Sequence, residues 1–145
     1  MKAYKGKYQV KNPKKYKGNP TNVVYRSSWE LKFFNWCDRN PDILQWSSEE
    51  VVIPYKSPMD NKWHRYFPDV LVQTANGTFL IEIKPFKETR EPKKRSRVTK
   101  NYLYEVRTWG INSAKWEAAI EFCEDRKWKF KIITEKELFK HGNNI

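Results

Sequence analysis

The sequence predicts an α/β fold in which a mixed central sheet of four or five strands is flanked by two helices. Three observations indicate this fold. Apolar residues recur at helical spacing after residue 28, two β-prone segments flank Asn76-Gly77, and a second helical segment precedes another β-prone run near the C-terminus. The chain has 145 residues, which suits a single compact domain.

The first helix is predicted over residues 28–40. Apolar residues between Trp29 and Cys37 are spaced i, i+4, i+7 and i+8, so they share one face, and Asn40-Pro41 ends the helix. Two extended segments, 43–46 and 49–53, are predicted to follow. A polar loop with Pro, Asp and Asn is predicted over residues 56–62.

A β-hairpin is predicted over residues 66–85, around a two-residue turn at Asn76-Gly77. With this turn Asp69 lies opposite Lys84, and Leu71 lies opposite Glu82. Three polar residues are therefore expected to share one face of the sheet: Asp69, Glu82 and Lys84. Leu71 and Leu80 belong to that face as well, whereas the opposite face receives Phe79, Ile81 and Ile83.

The C-terminal part is predicted to contain a helix over residues 113–126 and a strand over residues 128–133. A short terminal helix opens at Thr134, with Glu137 in capping-box spacing.

Residues 1–25 are expected to form a basic, flexible N-terminal arm, and residues 26–145 a single domain. The arm has seven Lys, no Asp or Glu, and two prolines that interrupt regular structure. It is interpreted either as a solvated tail or as a nucleic-acid contact, and its mixture of Lys and Tyr favours the latter.

The charge balance favours a polyanionic partner. There are 29 Lys and Arg against 17 Asp and Glu, a net charge of +12, and nucleic acid is the first candidate. A membrane partner is not expected, because no amphipathic basic helix, lipidation signal, signal peptide or long apolar stretch is visible. Cys37 and Cys123 are predicted to be buried free thiols, and two histidines are too few for histidine-rich metal chemistry.

Two interpretations of the polar face remain open. Asp69 and Lys84 could form a solvated cross-strand ion pair worth about 0–1 kcal/mol. However, the partly apolar surroundings make converging carboxylates costly, and a bound divalent cation would compensate them. The metal interpretation is favoured. Glu30 is equally ambiguous, because Ser27-x-x-Glu30 is a capping-box pattern and its carboxylate could also reach a nearby metal.

The motif Pro68-Asp69, followed after the hairpin by Glu82-Ile83-Lys84 and preceded by the helical Glu30, resembles the PD-(D/E)xK nuclease signature. Residues 25–30 and 66–69 together with this motif are similar to the N-terminal catalytic domain of the TnsA transposon endonucleases. Nearly all of the chain beyond the arm resembles the head completion nucleases of T4-like tailed phages. The resemblance implies a restriction-endonuclease-like core.

The resemblance also implies roles for the residues and a metal cofactor. Asp69 and Glu82 would be metal ligands, the Ile83 backbone carbonyl a third, and Glu30 a ligand directly or through water. Lys84 would orient or deprotonate the attacking water or offset charge on the phosphate. The cofactor would be Mg²⁺, with Mn²⁺ able to substitute, because hard oxygen ligands suit these ions.

The expected function is therefore metal-dependent hydrolysis of DNA phosphodiester bonds, as an endonuclease or an exonuclease. Phage head vertex or neck proteins are expected partners, in the host cytoplasm or on the virion. His64 is not assigned a catalytic role. Six basic residues are expected to contact DNA phosphates: Lys87, Arg90, Lys93, Lys94, Arg95 and Arg97.

Two alternatives remain. One is a non-enzymatic DNA-binding structural protein of the phage head, which would have no need of a divalent cation. The other is a transposase-type or repair endonuclease, which would cut at a particular sequence or junction. Without a visible recognition helix, cutting independent of sequence is expected.

Overall fold

The computed structural model describes residues 3–139. In chain order the strands and helices are β1 (Ala3–Lys7), β2 (Val24–Ser27), α1 (Ser28–Arg39), β3 (Ile43–Ser48), β4 (Ile53–Lys56), β5 (Trp63–Tyr66), β6 (Val70–Thr74), β7 (Gly77–Ile83), α2 (Lys100–Arg126), β8 (Lys129–Ile133) and α3 (Glu135–Leu138). Short 3-10 turns occur at Pro13–Lys15 and Phe86–Thr89.

A four-stranded mixed sheet, in the order β3-β6-β7-β8, forms the centre of the molecule. The first three strands pair antiparallel, and β8 pairs parallel with β7. The predicted α/β fold with a mixed sheet is confirmed. Two further antiparallel ladders, β1–β2 and β4–β5, lie outside this sheet.

Each face of the sheet packs against different elements. On one face α1 contributes Phe33, Phe34 and Cys37 to a core that also holds Ile81 and Ile83. On the other face Leu80 packs with Trp116 and Ala119 of α2 and with residues of β4 and β5. Leu71 also lies with the second group and Phe79 with the first, so the predicted division of β6 and β7 into two faces is confirmed.

The pairing of β6 with β7 differs from the prediction. Leu71 pairs with Leu80, not with Glu82, because the turn residues are Ala75-Asn76 and not Asn76-Gly77. The Thr74 hydroxyl accepts a hydrogen bond from the Asn76 amide at 3.0 Å and so stabilises this turn. The shift amounts to two residues, and because side chains alternate with a period of two, every residue keeps its predicted face.

Two boundaries also differ. The predicted strand 49–53 begins only at Ile53, because Glu49 adopts a left-handed φ of 55° that interrupts the extended backbone. Helix α2 begins at Lys100 and not at residue 113, capped by the Thr99 side chain. Its first half has no apolar periodicity because that half is largely exposed, and Tyr104 is 69% exposed.

The remaining local predictions are confirmed. Helix α1 spans Ser28–Arg39, β8 covers most of the predicted strand, and the capping box between Thr134 and Glu137 is present. Cys37 and Cys123 are buried free thiols. Between residues 3 and 139, no helix combines the length and the apolar character needed to cross a membrane.

The N-terminal segment is not a flexible arm, which corrects the prediction for residues 3–25. Strand β1 pairs with β2, and Tyr8, Tyr16 and Val23 are buried in the core formed with α1. The segment therefore packs against elements of the range 26–145, from which the prediction had separated it. The prediction was wrong because a Lys/Tyr mixture is equally compatible with a draped arm and with tyrosines that fill a core.

Hydrogen bonds join this segment to the C-terminal end of α1. The fully buried Asp38 carboxylate accepts hydrogen bonds from the Tyr8 hydroxyl at 2.8 Å and from the Lys11 amide at 2.7 Å. The Lys15 ammonium donates to the Cys37, Asp38 and Asn40 carbonyls at 2.8–3.1 Å. A cation is favourable there because the helix dipole places partial negative charge at its C-terminus.

We expect Asp38→Ala to lower the free energy of unfolding by about 3 kcal/mol, because it leaves buried donors without an acceptor. Urea denaturation followed by circular dichroism measures this, with the exposed Asp125→Ala as control. Equal stability of the two variants would contradict the packing of residues 3–25 against α1.

Candidate active site

The four predicted catalytic residues lie near one another at one end of the two central strands, β6 and β7, next to the first turn of α1. Glu30 lies in the first turn of α1, Asp69 directly precedes β6, Glu82 is the penultimate residue of β7, and Lys84 follows that strand. The pKa of Asp69 is influenced by the charges of Glu82, Glu30 and Lys84, so the four groups form one electrostatic cluster.

Asp69 is held by backbone contacts on both sides. Its carboxylate accepts a hydrogen bond from the Ile83 amide at 2.7 Å, and its carbonyl accepts one from the Glu49 amide at 3.2 Å. Burial, followed by the negative charges of Glu82 and Glu30, raises the pKa of Asp69 well above its usual range. The carboxylate is therefore fixed in place in surroundings that oppose its ionisation.

Glu82 is only 6% exposed. One of its oxygens accepts a hydrogen bond from the Tyr66 hydroxyl at 2.7 Å, and the other lies 3.9 Å from the Lys84 ammonium. Burial raises the pKa of Glu82, and it also raises the pKa of the Tyr66 hydroxyl, which remains a hydrogen-bond donor. Tyr66 therefore orients Glu82.

Glu30 takes part in capping and also faces the cluster. The Ser27 hydroxyl accepts a hydrogen bond from the Glu30 amide at 3.1 Å, as a cap requires. The Glu30 carboxylate accepts from the Arg26 amide at 3.2 Å, one residue before the cap. Burial raises the pKa of Glu30, and the charges of Glu49 and Glu82 contribute. Both predicted roles are compatible with this position.

A salt bridge links the two sides of the site. The Arg26 guanidinium contacts both carboxylate oxygens of Glu49, at 3.0 and 3.3 Å. Hydrogen bonding to Glu49 raises the pKa of Arg26. The Arg26 amide donates to the Glu30 carboxylate, and the Glu49 amide donates to the Asp69 carbonyl. The Arg26–Glu49 salt bridge therefore connects two residues whose backbones each bind a residue of the site.

Lys115 of α2 is a site residue that the sequence interpretation missed. Its ammonium lies 5.8 Å from the centre of the Tyr55 ring and 5.5 Å from that of Tyr66. Burial, followed by the charge of Lys84, lowers the pKa of Lys115, while Glu82 and Asp69 oppose this effect. Tyr66, Arg26 and Glu49 were also missed. Their proximity to the motif in the sequence was a signal for Tyr66 and Arg26, whereas Lys115 carries no such signal.

The observed contacts bear on the two interpretations of the polar face. Within residues 3–139 the ion pair of Lys84 is with Glu82, and Asp69 binds the Ile83 amide. No group of three His, Cys, Asp or Glu residues with the arrangement of a metal site is found in that part of the chain. The predicted ligands Glu30, Asp69 and Glu82 therefore do not form a ready-made cluster of three metal-binding side chains. Two carboxylates and water would still suit Mg²⁺, which is seldom fully enclosed by protein groups.

The predicted phosphate contacts are exposed, and they follow Lys84 in the chain along the 3-10 turn Phe86–Thr89 and the segment after it. Arg90 lies over the Phe86 ring at 4.8 Å, and Arg95 is 3.7 Å from Glu105. His64 is exposed on β5, 2.7 Å from Asp60, so its nearest charged partner is not a site residue.

Comparison with known proteins identifies a family. The model of the TnsA-like endonuclease N-terminal domain matches residues 40–135, a range that includes Asp69, Glu82, Lys84 and Lys115 but not Glu30. The head completion nuclease of Enterobacteria phage T4 is 46% identical over 138 residues, which cover 92% of this chain and 92% of that protein. No solved structure matches the chain.

The family model covers well over half of the chain, and the phage protein aligns along nearly all of it. The fold carries the predicted catalytic residues at one end of the two central strands of a mixed sheet. This chain belongs to the TnsA-like endonuclease N-terminal family.

Proposed function

We propose that this protein is a metal-dependent DNA nuclease whose active site comprises Glu30, Asp69, Glu82 and Lys84. The observation that carries the proposal is the convergence of buried carboxylates whose pKa values are raised by burial, with Asp69 further raised by the charge of Glu82. If the polar face served only to form an ion pair with Lys84, a second buried carboxylate beside Asp69 would not be needed. Such perturbed groups are typical of functional sites.

The donor set fits Mg²⁺ or Mn²⁺. Asp69 and Glu82 would hold the ion, with the Ile83 carbonyl as a further ligand and Glu30 as a ligand directly or through water. Each carboxylate already uses one oxygen to accept a hydrogen bond, Asp69 from the Ile83 amide and Glu82 from Tyr66, which fixes its orientation. When bound, the ion supplies Lewis acidity that makes a water more acidic and neutralises charge on the phosphate.

The two lysines have different positions and different proposed roles. Lys84 lies 3.9 Å from Glu82 and would orient or deprotonate the attacking water, or offset charge that builds on the phosphate. Lys115 is half-buried, and burial, followed by the charge of Lys84, lowers its pKa. We propose that an approaching phosphate compensates this ammonium and that Lys115 stabilises the transition state.

DNA is the proposed substrate, since the net charge of +12 favours a polyanion. The exposed basic residues after Lys84 would contact phosphates, which position DNA without reading its sequence. The phage T4 relative is named a head completion nuclease. By analogy, we propose that this protein cuts or trims packaged DNA during head completion, in the host cytoplasm and in contact with head vertex or neck proteins.

We expect Asp69→Asn to reduce DNA cleavage to background, because the amide is a poor ligand for Mg²⁺. Lys84→Ala should lower the cleavage rate by about 10²–10⁴-fold, the range for loss of a general acid or base. The measurement is degradation of plasmid and linear DNA with Mg²⁺, Mn²⁺ or EDTA, and the ends of the products distinguish endonuclease from exonuclease action.

Asp42→Asn and Lys62→Ala, both exposed and away from the site, serve as matched controls. Cleavage that persists in both active-site variants would contradict the assignment. Binding of DNA with no cleavage under any metal condition would favour a structural role.

A second prediction concerns Lys115. Lys115→Met should reduce the cleavage rate about tenfold or more, because it removes a charge that faces the phosphate, whereas Lys115→Arg should restore part of the activity. The melting temperature of Lys115→Met should equal or exceed that of the wild type, because burial of the ammonium opposes folding. Cleavage kinetics and thermal melting measure the two effects, with the exposed Lys100→Met as control. Unchanged cleavage by Lys115→Met would exclude the proposed role.

A further inference from the structure

A cavity of about 500 Å³ lies between the first half of α2 and the segment that follows Lys84. The 3-10 turn Phe86–Thr89 and the loop after it form one wall, and residues 104–112 of α2 form the other. The carboxylates and lysines of the proposed catalytic site lie outside its lining, whereas four of the proposed phosphate contacts belong to it: Lys87, Arg90, Lys93 and Arg95.

The α2 wall is aromatic. Tyr104 is 69% exposed, and Trp109 lies in the same wall, with its ring packed edge-on against Trp116 at 6.2 Å. Packing against Trp116 fixes the orientation of Trp109. Rigid, accessible aromatic rings in a concave site are suited to stacking against a planar group.

Asn112 supplies polar groups to the same cavity. Its side chain is only 5% exposed, yet it makes no hydrogen bond to any residue between 3 and 139. Its amide has both a donor and an acceptor, so it could bind a ligand that offers the complementary pair. Asn and Gln are well matched to the polar edge of a nucleobase.

The charge around the cavity limits the kind of ligand. The described residues of the lining include four basic and three acidic side chains, and one of each, Arg95 and Glu105, are paired at 3.7 Å. The lining as a whole is therefore only weakly cationic. An uncharged base suits the interior of the cavity, while basic residues of the lining such as Arg90 and Lys93 would contact the phosphate of the same nucleotide.

The cavity also adjoins the proposed catalytic site on both walls. Asn112 precedes Lys115 by three residues on α2, a rise of about 4.5 Å along the helix. On the other wall Phe86 follows Lys84 by two residues. A nucleotide seated in the cavity would thus be a near neighbour of a phosphate at Lys84 and Lys115.

We propose that this cavity binds one unstacked base of the substrate strand beside the phosphate to be cut. The proposal rests on the proposed nuclease function, and it specifies the substrate class as DNA with unpaired nucleotides at an end or junction. A fully paired duplex keeps its bases stacked and would not fill the cavity without local unpairing.

The test is binding of fluorescently labelled duplexes, measured by anisotropy in EDTA so that no cleavage is needed. Each duplex carries three unpaired nucleotides at a 3′ or a 5′ end, and matched duplexes have abasic sites at the same three positions. The wild type should bind the normal overhang of one polarity about tenfold more tightly than its abasic counterpart. Asn112→Leu and Tyr104→Ala should abolish this difference, and Leu103→Ala, exposed on the same helix, should retain it.

Equal binding of the normal and abasic overhangs by the wild type would overturn the proposal, and so would a difference that persists in both cavity variants. If thermal melting shows that Asn112→Leu is unstable, the result for Tyr104→Ala decides between the two outcomes. The Tyr104 side chain is largely exposed, so its removal should leave the fold intact. The outcome is independent of catalysis. A base preference that needs the cavity, in a protein that never cuts DNA, would support this cavity and reject the nuclease proposal.

Discussion

The main constraint on this structure is that three carboxylates, those of Glu30, Asp69 and Glu82, lie near one another in a poorly solvated site, which is unfavourable for their ionised forms. Burial raises the pKa values of Glu30, Asp69 and Glu82, and mutual repulsion adds to the effect at Asp69. An isolated buried charge costs several kcal/mol. A fold that preserves this arrangement needs other interactions to hold it, and a divalent cation would remove much of the cost.

The supporting interactions come from separate parts of the chain. The Ile83 amide and Tyr66 each hold one carboxylate, while the Arg26–Glu49 bridge connects the backbone next to α1 with the backbone next to β6. The N-terminal segment, bound to the end of α1, and helix α2 cover opposite faces of the sheet. The site lies at one end of β6 and β7, between the core on the α1 face of the sheet and the core on the α2 face. Helix α2 connects the site with the aromatic cavity.

Much of this arrangement could be predicted from sequence because it depends on local periodicity. The faces of β6 and β7, helix α1 and the grouping of Asp69 with Glu82 follow from alternation and from helical spacing. The predicted register of the hairpin was wrong, because the turn lies at Ala75-Asn76, where the Thr74 hydroxyl accepts a hydrogen bond from the Asn76 amide. The difference is two residues, so each side chain stays on its predicted face. Lys115 and the packing of Tyr8 depend on tertiary contacts far apart in sequence, which periodicity does not reveal.

The most direct test of the central claim is thermal melting of the wild type and of Asp69→Asn at neutral pH, in EDTA and in about 10 mM Mg²⁺. Because folding raises the carboxylate pKa values, ionisation destabilises the folded protein, and its stability without metal falls as the pH rises above the ordinary carboxylate range. The account predicts that Mg²⁺ at about 100 times its Kd raises the wild-type Tm by roughly 5–10 °C. Asp69→Asn should melt above the wild type in EDTA and gain little from Mg²⁺. A wild-type Tm that does not respond to Mg²⁺ or Mn²⁺, or an equal response in Asp69→Asn, would contradict it.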